Sequence, residues 1–350
     1  MPRLSVILST YEKPAELQLA LESLRHAERD GAPQFELVIA DDGSGPETSA
    51  VIKTFAASVP FDVLHVRHED VGFRLAKIRN AAICRSSSEV LFFVDGDSLI
   101  HPDALRAHAE HCTPGTACAG TRFFLDESQS RAVLKDPTGI PDVLVLAERN
   151  GKWSRRKLFV MNAFYRHTRL KTRPKLVGGN CAIHRTDLDR INGFDERFVG
   201  WGLEDDDLAR RLRRSGVRMR DVSPYCFVVH IHHPTHPSHQ PSVHHTQNYV
   251  YFHRPNSYLT RCRHGTQTRS LGDVTFEFAG EFPGALAGLR EELGRPRSEE
   301  WAEVLVLPPG TDMLQAADGR FEIAVQLPKS VLDGDEDPIA ASLRFLDEVL

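Results

Sequence analysis

Residues 89–97 read EVLFFVDGD, in which five consecutive apolar residues, Val90 to Val94, run into two aspartates separated by one glycine. A run this short and this continuous predicts a strand buried on both faces, because a half-buried strand alternates apolar with polar positions. Such a strand needs helices on both sides of its sheet, and the flanking sequence supplies them. LSVIL (4–8), FELVIA (35–40) and FDVLHV (61–66) predict three further strands. Between them lie amphipathic segments: Pro14–Leu24, with Leu17, Leu21 and Leu24 in helical register, Glu47–Phe55 and Leu75–Cys84. A helix over Pro102–His111 and a strand ACAGTRFF (117–124) continue the alternation. The fold class that follows is α/β, Rossmann-like, with a mostly parallel central sheet.

In such sheets ligands gather at the carboxyl ends of the strands. Ser9, Thr10, Tyr11 and Glu12 follow the first strand, ADDGSG (40–45) follows the second, and Asp95, Gly96 and Asp97 follow the fourth. One Asp-Gly pair is an ordinary turn. Two at neighbouring strand ends point instead to a polar site. The first strand is not followed by GxGxxG, and GxxxxGK[ST] occurs nowhere, so neither a dinucleotide fingerprint nor a P-loop is present to hold phosphate. Asp95 and Asp97 can ligate Mg²⁺ or Mn²⁺, and that ion would neutralise a diphosphate.

A second acidic stretch is GWGLEDDDL (200–208), followed by basic residues at 210, 211, 213 and 214. Acids in a first helical turn and bases further on complement the helix dipole. That accounts for the charges but leaves Trp201, set between two glycines, which suits a binding loop.

The 350 residues carry a net charge of -5, with a pI near 6.4, so no global basic field points to nucleic acid. Apolar runs fall far short of the ~20 residues of a membrane span, and the first is too short for a signal peptide. The chain therefore reads as cytoplasmic. Six cysteines without a CxxC pair predict reduced, mostly buried thiols rather than a zinc knuckle or disulfide scaffold.

In order, SVILSTYEKP, FELVIADDGS, GFRLAKIRNAA and FFVDGDSLIHP resemble the family 2 glycosyltransferases of the GT-A fold, with Asp95-Gly96-Asp97 at the DxD position. VGGNCAIHRTDLDRINGFDERFVGWGLEDDDLARRL is similar to the carboxyl-terminal part of β-1,4-galactosyltransferases and chondroitin polymerases. The resemblance spans residues 3–235 and implies a UDP-sugar donor, Mn²⁺ or Mg²⁺, and an inverting transfer of galactose or an N-acetylhexosamine to a glycan or glycoconjugate. It implies Asp205 as catalytic base, Trp201 against the acceptor sugar, Asp206 on an acceptor hydroxyl, and Glu204 as an orienting or capping residue, while Asp207 reads as structural. Thr10, Tyr11 and Glu12 would border the uracil, Asp42 would accept its N3 proton, Arg79 would meet the nucleotide or its phosphates, and Asp95 a ribose hydroxyl. On residues alone Arg79 reads equally as a helix-surface arginine. Gly178, Gly179 and Asn180 would approach the donor sugar. The third metal ligand falls to His230 first, then His233, then His232, within a stretch of seven histidines (230–245), most of them expected to be solvated or packed between prolines.

Between Gly151 and Leu176 lie nine Lys or Arg and no acid. The stretch reads as a solvated loop, as an acceptor loop for an anionic glycan, or, over 152–175, as peripheral contact with anionic lipid. Residues 1–255 form the expected catalytic domain. Residues 256–350 form an accessory α+β region of two strands and a closing helix Pro338–Leu350, suited to self-association or to binding a partner. The alternatives are a nucleotidyltransferase, which would want a glycine-rich basic loop after the first strand, and a non-catalytic carbohydrate-binding or scaffold relative, which would have lost Asp95, Asp97 or Asp205.

Overall fold

The computed structural model describes residues 3–27, 33–168, 174–233, 246–253, 259–293, 302–311, 321–334 and 336–350. The first elements are β1 (Leu4–Thr10), α1 (Pro14–Ala27), β2 (Phe35–Asp41), α2 (Pro46–Ala56), β3 (Val63–Arg67), α3 (Leu75–Arg85), β4 (Val90–Asp95), β5 (Ser98–Ile100) and α4 (Ala104–His111). Then come β6 (Thr116–Ala119), β7 (Thr121–Phe124), α5 (Glu127–Lys135), α6 (Ile140–Thr168), β8 (Asn180–His184), α7 (Arg185–Ile191), α8 (Glu204–Arg214), β9 (Arg218–Asp221), β10 (Phe227–His230) and α9 (Gln247–Phe252). The chain closes with β11 (Phe276–Phe278), α10 (Leu289–Leu293), β12 (Ala302–Leu307), β13 (Phe321–Gln326), α11 (Ser330–Asp333) and α12 (Pro338–Val349).

Seven strands form the central sheet in the order β3-β2-β1-β4-β8-β6-β9. β3, β2, β1 and β4 are parallel, β8 runs against both its neighbours, and β9 is parallel to β6. All seven residues of β1 are buried, which is what its unbroken apolar run requires. Its successive side chains serve opposite faces. Leu4, Val6 and Leu8 join Leu17, Leu21 and Leu24 of α1 and Ile52 and Phe55 of α2 in one core layer. Ile7 joins Ile78, Ala82 and Ile83 of α3 and Leu208 and Leu212 of α8 in the other. Each fully buried leucine contributes about 1.5–3 kcal/mol. The register sets Ser9 beside Asp95 and Thr10 beside Asp41, so the strand ends that the sequence marks as polar finish level on one edge.

Two predicted elements differ. Residues 117–124 are two strands rather than one: β6 stays in the central sheet, while β7 joins β5 and β10 in a second sheet ordered β5-β10-β7. The break falls at Gly120, where a Cβ would overlap the Asn180 side chain. Residues 151–168, read as a loop, instead belong to the 29-residue helix α6. Charge is no bar to a helix, and residues 152–168 hold neither glycine nor proline to interrupt one. Among the described residues no helix is long and apolar enough to cross a membrane.

The carboxyl-terminal region has a core of its own around Val304, Val306, Ile323, Leu346 and Leu350, and a third parallel strand, β11, joins the two predicted ones. It is stitched to the first region at Asn192, a left-handed helix cap (φ 65°) whose side-chain amide donates to the carbonyls of Cys262 (2.8 Å) and Gln267 (2.7 Å). The six cysteines are free and all but Cys84 are buried, as their spacing predicts.

Candidate functional site

The site lies along the carboxyl edge of β1, β2 and β4 and falls into three parts. At the β2 end, Asp42 is buried, with Oδ1 2.6 Å from His68 Nε2 and Oδ2 accepting from the Arg74 backbone at 2.9 Å. Burial pushes its carboxyl up, against those two donors. Both oxygens of Asp42 are therefore engaged within the fold. Tyr11 donates its hydroxyl to Asp70 (3.0 Å). Glu12, at φ 47°, turns its carboxylate onto the Gly45 amide (2.6 Å), where it closes the loop after β2. Thr10 is buried and takes its place through the backbone, its carbonyl accepting from the Asp42 amide at 3.0 Å.

The centre is Arg79. It is 1 % exposed, so it is not a helix-surface arginine. It sits on the inner face of α3 with Ile78 and Asn80, which are also buried. Its guanidinium donates to Ser9 Oγ (3.1 Å), Asp205 Oδ1 (3.1 Å) and Asp95 Oδ1 (3.2 Å), and lies 3.9 Å from Glu204 Oε1. The predicted base and the first DxD aspartate are thus joined through one cation. Asp205 Oδ2 also accepts from the Gly178 amide at 2.7 Å. Gly178 and Gly179 pass so close to Asp205 and Asp95 that a Cβ on either would collide with a carboxylate.

Asp205 and Glu204 open α8. Leu203 caps that helix at φ 73°, with Gly200 and Gly202 at φ 79° and 102°, conformations that glycine adopts without strain. Between them Trp201 is 39 % exposed. Glu204 is buried, and among the described residues its Oε2 has no hydrogen-bond partner. Burial, and then the adjacent Asp205 charge, raise its carboxyl from 4.5 to about 8 despite Arg79, so Glu204 carries its proton at neutral pH. Asp206 pairs with Lys175 at 3.1 Å. Asp207, read as structural, is buried and bonded to Arg211 at 2.7 Å.

The third part is a candidate cation site. Among the described residues, Asp97, His230 and His233 offer donor atoms within 4.8 Å of one another. The register of β10 against β5 places His230 opposite Ser98, one residue past Asp97. His230 Nδ1 is 2.9 Å from Asp97 Oδ1, and His233 Nε2 is 3.0 Å from Oδ2. Among the described residues, the buried Oδ1 makes no hydrogen bond of regular geometry. A carboxylate with an unused oxygen beside two imidazoles fits a divalent transition ion such as Mn²⁺. Burial opposes the Asp97 charge, yet the two imidazoles and Lys13 hold its carboxyl well below the usual range.

Three expectations change here. Asp95 is not among the clustered donors: its carboxylate faces Arg79 and Arg122, at 3.2 and 3.4 Å. Burial raises its carboxyl, aided by Asp97 and Asp205 and opposed by both arginines. Asn180 is fully buried, and its amide is spent on the Thr121 carbonyl (2.7 Å) and His108 (2.9 Å), so it pins strands rather than facing a sugar. His232 is absent from the cluster, and its backbone amide donates to Ser130. Four of the seven histidines, at 236, 239, 244 and 245, lie outside the described residues.

Sequence reasoning missed Lys13 and Arg122. Lys13 Nζ is 2.8 Å from Asp97 Oδ2, in effect a tethered cation at the site. It lies within the quoted STYEKP stretch, but nothing local tells which strand end it reaches. Arg122 is brought to Asp95 only by the separation of β7 from β6.

The family follows from comparison. The model of glycosyl transferase family 2 matches residues 5–191, more than half of the chain, and the chain belongs to that family. A second model, the N-terminal domain of galactosyltransferase, matches residues 160–240. Validoxylamine A glucosyltransferase of Streptomyces hygroscopicus subsp. limoneus is 30% identical over 229 residues, covering 63% of this chain and 49% of that protein. Chondroitin synthase of Escherichia coli is 24% identical over 239 residues, covering 63% and 33%. The uncharacterized glycosyltransferase YfnE of Bacillus subtilis is 26% identical over 310 residues, covering 80% and 74%. The match thus spans about half the length of the first of these relatives and a third of the second.

Proposed function

We propose that the protein transfers a hexose or N-acetylhexosamine, with inversion, from a UDP-sugar to a hydroxyl of a glycan or glycoconjugate. The observation that carries this reading is Asp205, fixed by the Gly178 amide and by Arg79 at the mouth of the strand-edge site. Inversion needs one base on the acceptor side. Of the two carboxylates that open α8, burial and the adjacent Asp205 charge favour the protonated form of Glu204, which supports Asp205 in the role. The oxygen that accepts from Gly178 is held in place while the base works, and Arg79 steadies the other. Trp201, exposed at the same helix start, offers a ring face for the acceptor sugar.

Asp97, His230 and His233 would hold Mn²⁺ or Mg²⁺, which supplies charge to the departing diphosphate when bound. Asp95, held by Arg79 and Arg122, would accept from the ribose. Uridine is favoured by Asp42, a buried acceptor at the second strand end, and by the match to the galactosyltransferase domain model.

The test is UDP release from a panel of UDP-sugars, with Mn²⁺ or EDTA, by wild type, Asp97→Ala and Asp205→Asn. Turnover of one sugar that needs metal and disappears in Asp97→Ala is the expected result. Release from no UDP-sugar, with or without added glycans, overturns the uridine assignment.

A further inference from the structure

The buried side of α6 fixes which way the helix faces. Leu144 is 4% exposed and packs with Leu99 and Phe227, while the buried Asn162 donates its amide to Asp221 at 2.7 Å. The opposite side carries exposed apolar side chains among its charges, the acid Asp142 included. Val145, Val160 and Phe164 are 64%, 66% and 56% exposed, and Leu146 and Phe159 are exposed beside them. Val145, Val160 and Phe164 fall with Arg149 and Arg156 within an arc of roughly 100° around the helix, and Lys157 borders it. No acid occurs from Arg149 to Leu176.

Exposed apolar side chains gathered on one face mark a contact surface. Nucleic acid would use the basic residues but has no place for an apolar stripe. Aliphatic and aromatic side chains interleaved with arginine and lysine, whose stems lie on apolar surface while their heads reach anions, match the interface of an anionic bilayer. Leu146 also lines, with Phe123, Phe124, Val143 and Val229, a cavity of about 610 Å³ between α5, α6 and β7. The apolar face therefore continues inward to the strand whose Arg122 meets Asp95.

We propose that α6 docks the protein on an anionic lipid surface. Val145, Val160 and Phe164 enter the boundary between headgroups and acyl chains, and Arg149, Arg156 and Lys157 contact the headgroups. The inference stands apart from the transfer chemistry, since it concerns binding alone.

The experiment is sedimentation of the full chain with vesicles of phosphatidylcholine, and of phosphatidylcholine with phosphatidylglycerol at roughly 7:3, at low salt and at about 1 M salt. The expected result is binding to the anionic vesicles only and release by salt. A loss of at least about tenfold is expected in both Val160→Asp/Phe164→Asp and Arg156→Glu/Lys157→Glu, at unchanged thermal unfolding. Absence of binding to anionic vesicles overturns the proposal, as does binding that neither double variant weakens. A dimer in light scattering that Val160→Asp/Phe164→Asp splits, without vesicle binding, assigns the face to self-association instead.

Discussion

Asp97 and Glu204 lie on the same sheet edge, and their surroundings drive them to opposite charge states. Around Asp97 stand Lys13, His230 and His233, and its carboxyl is held well below the usual range. Around Glu204 stand Asp205, Asp95 and the single cation Arg79, which Asp205 and Asp95 also share, and its carboxyl rises to about 8. Both groups are buried, so burial does not separate them; the sign of the neighbouring charge does. On the proposed reading one acid is prepared to meet a cation and the other to remain neutral beside the base.

The largest effect that would sharpen this contrast is at Asp205. Asp205→Asn can keep the hydrogen bond from Gly178, gives up the one from Arg79 and removes the base, and should lower turnover by about a thousandfold. Donor binding measured by calorimetry should be nearly unchanged. A loss below tenfold would move the base elsewhere.

Arg79→Met comes next. It would leave Asp95, Asp205 and Glu204 together without their common cation, and removing one partner from a buried ion network costs about 3 kcal/mol. Chemical denaturation should show that loss, with a steeper pH dependence on the alkaline side than wild type. A stability within experimental error of wild type would mean that water, rather than Arg79, compensates the three acids.

The contrast also marks how far the sequence could be read. The parallel strands β1 to β4 and their helices were legible because burial on both faces demands continuous apolar runs, and EVLFFV and FELVIA supply them. The site edge was legible for the same reason, since strand ends in a parallel sheet finish together. Residues 117–124 were misread because the switch between sheets depends on Asn180, some sixty residues on, filling the space over Gly120. Residues 151–168 were misread because their charge suggested a loop, although no helix breaker lies among them. Spacing alone made ligands of both DxD aspartates, whereas distant partners, Arg79 and Arg122 for one and two histidines for the other, set their surroundings apart. The proton on Glu204 has no local signature at all.

That proton has its own consequence. Below pH 4.5 Glu204 is protonated in both the folded and the unfolded chain, and between 4.5 and about 8 only the folded chain keeps the proton. Folding then binds the extra proton, so this group's contribution to stability falls as pH rises through that window and is flat above it. The slope is at most about 1.4 kcal/mol per pH unit. Glu204→Gln, neutral at every pH, should flatten it in denaturation curves taken from pH 5 to about 8. An unchanged slope would show that Glu204 is ionised in the folded protein and would reopen it as a base.

The smallest predicted change lies at the other acid. Lys13 Nζ occupies Asp97 Oδ2 at 2.8 Å, the same oxygen that His233 approaches at 3.0 Å. An incoming ion has to displace the ammonium before it can use that oxygen, and the displaced group, 32% exposed, is rehydrated readily. Solvent screening keeps the competition modest. Lys13→Met should therefore tighten Mn²⁺ binding by about tenfold, equivalent to 1.4 kcal/mol, measured as free Mn²⁺ by electron paramagnetic resonance without any donor sugar. Weaker binding would instead make Lys13 a group that organises Asp97 for the ion. If Mn²⁺ binding were lost only in Asp97→Ala and unaffected in Lys13→Met, the ion would be using Oδ1, the oxygen left without a hydrogen-bond partner, and Lys13 could stay in place throughout.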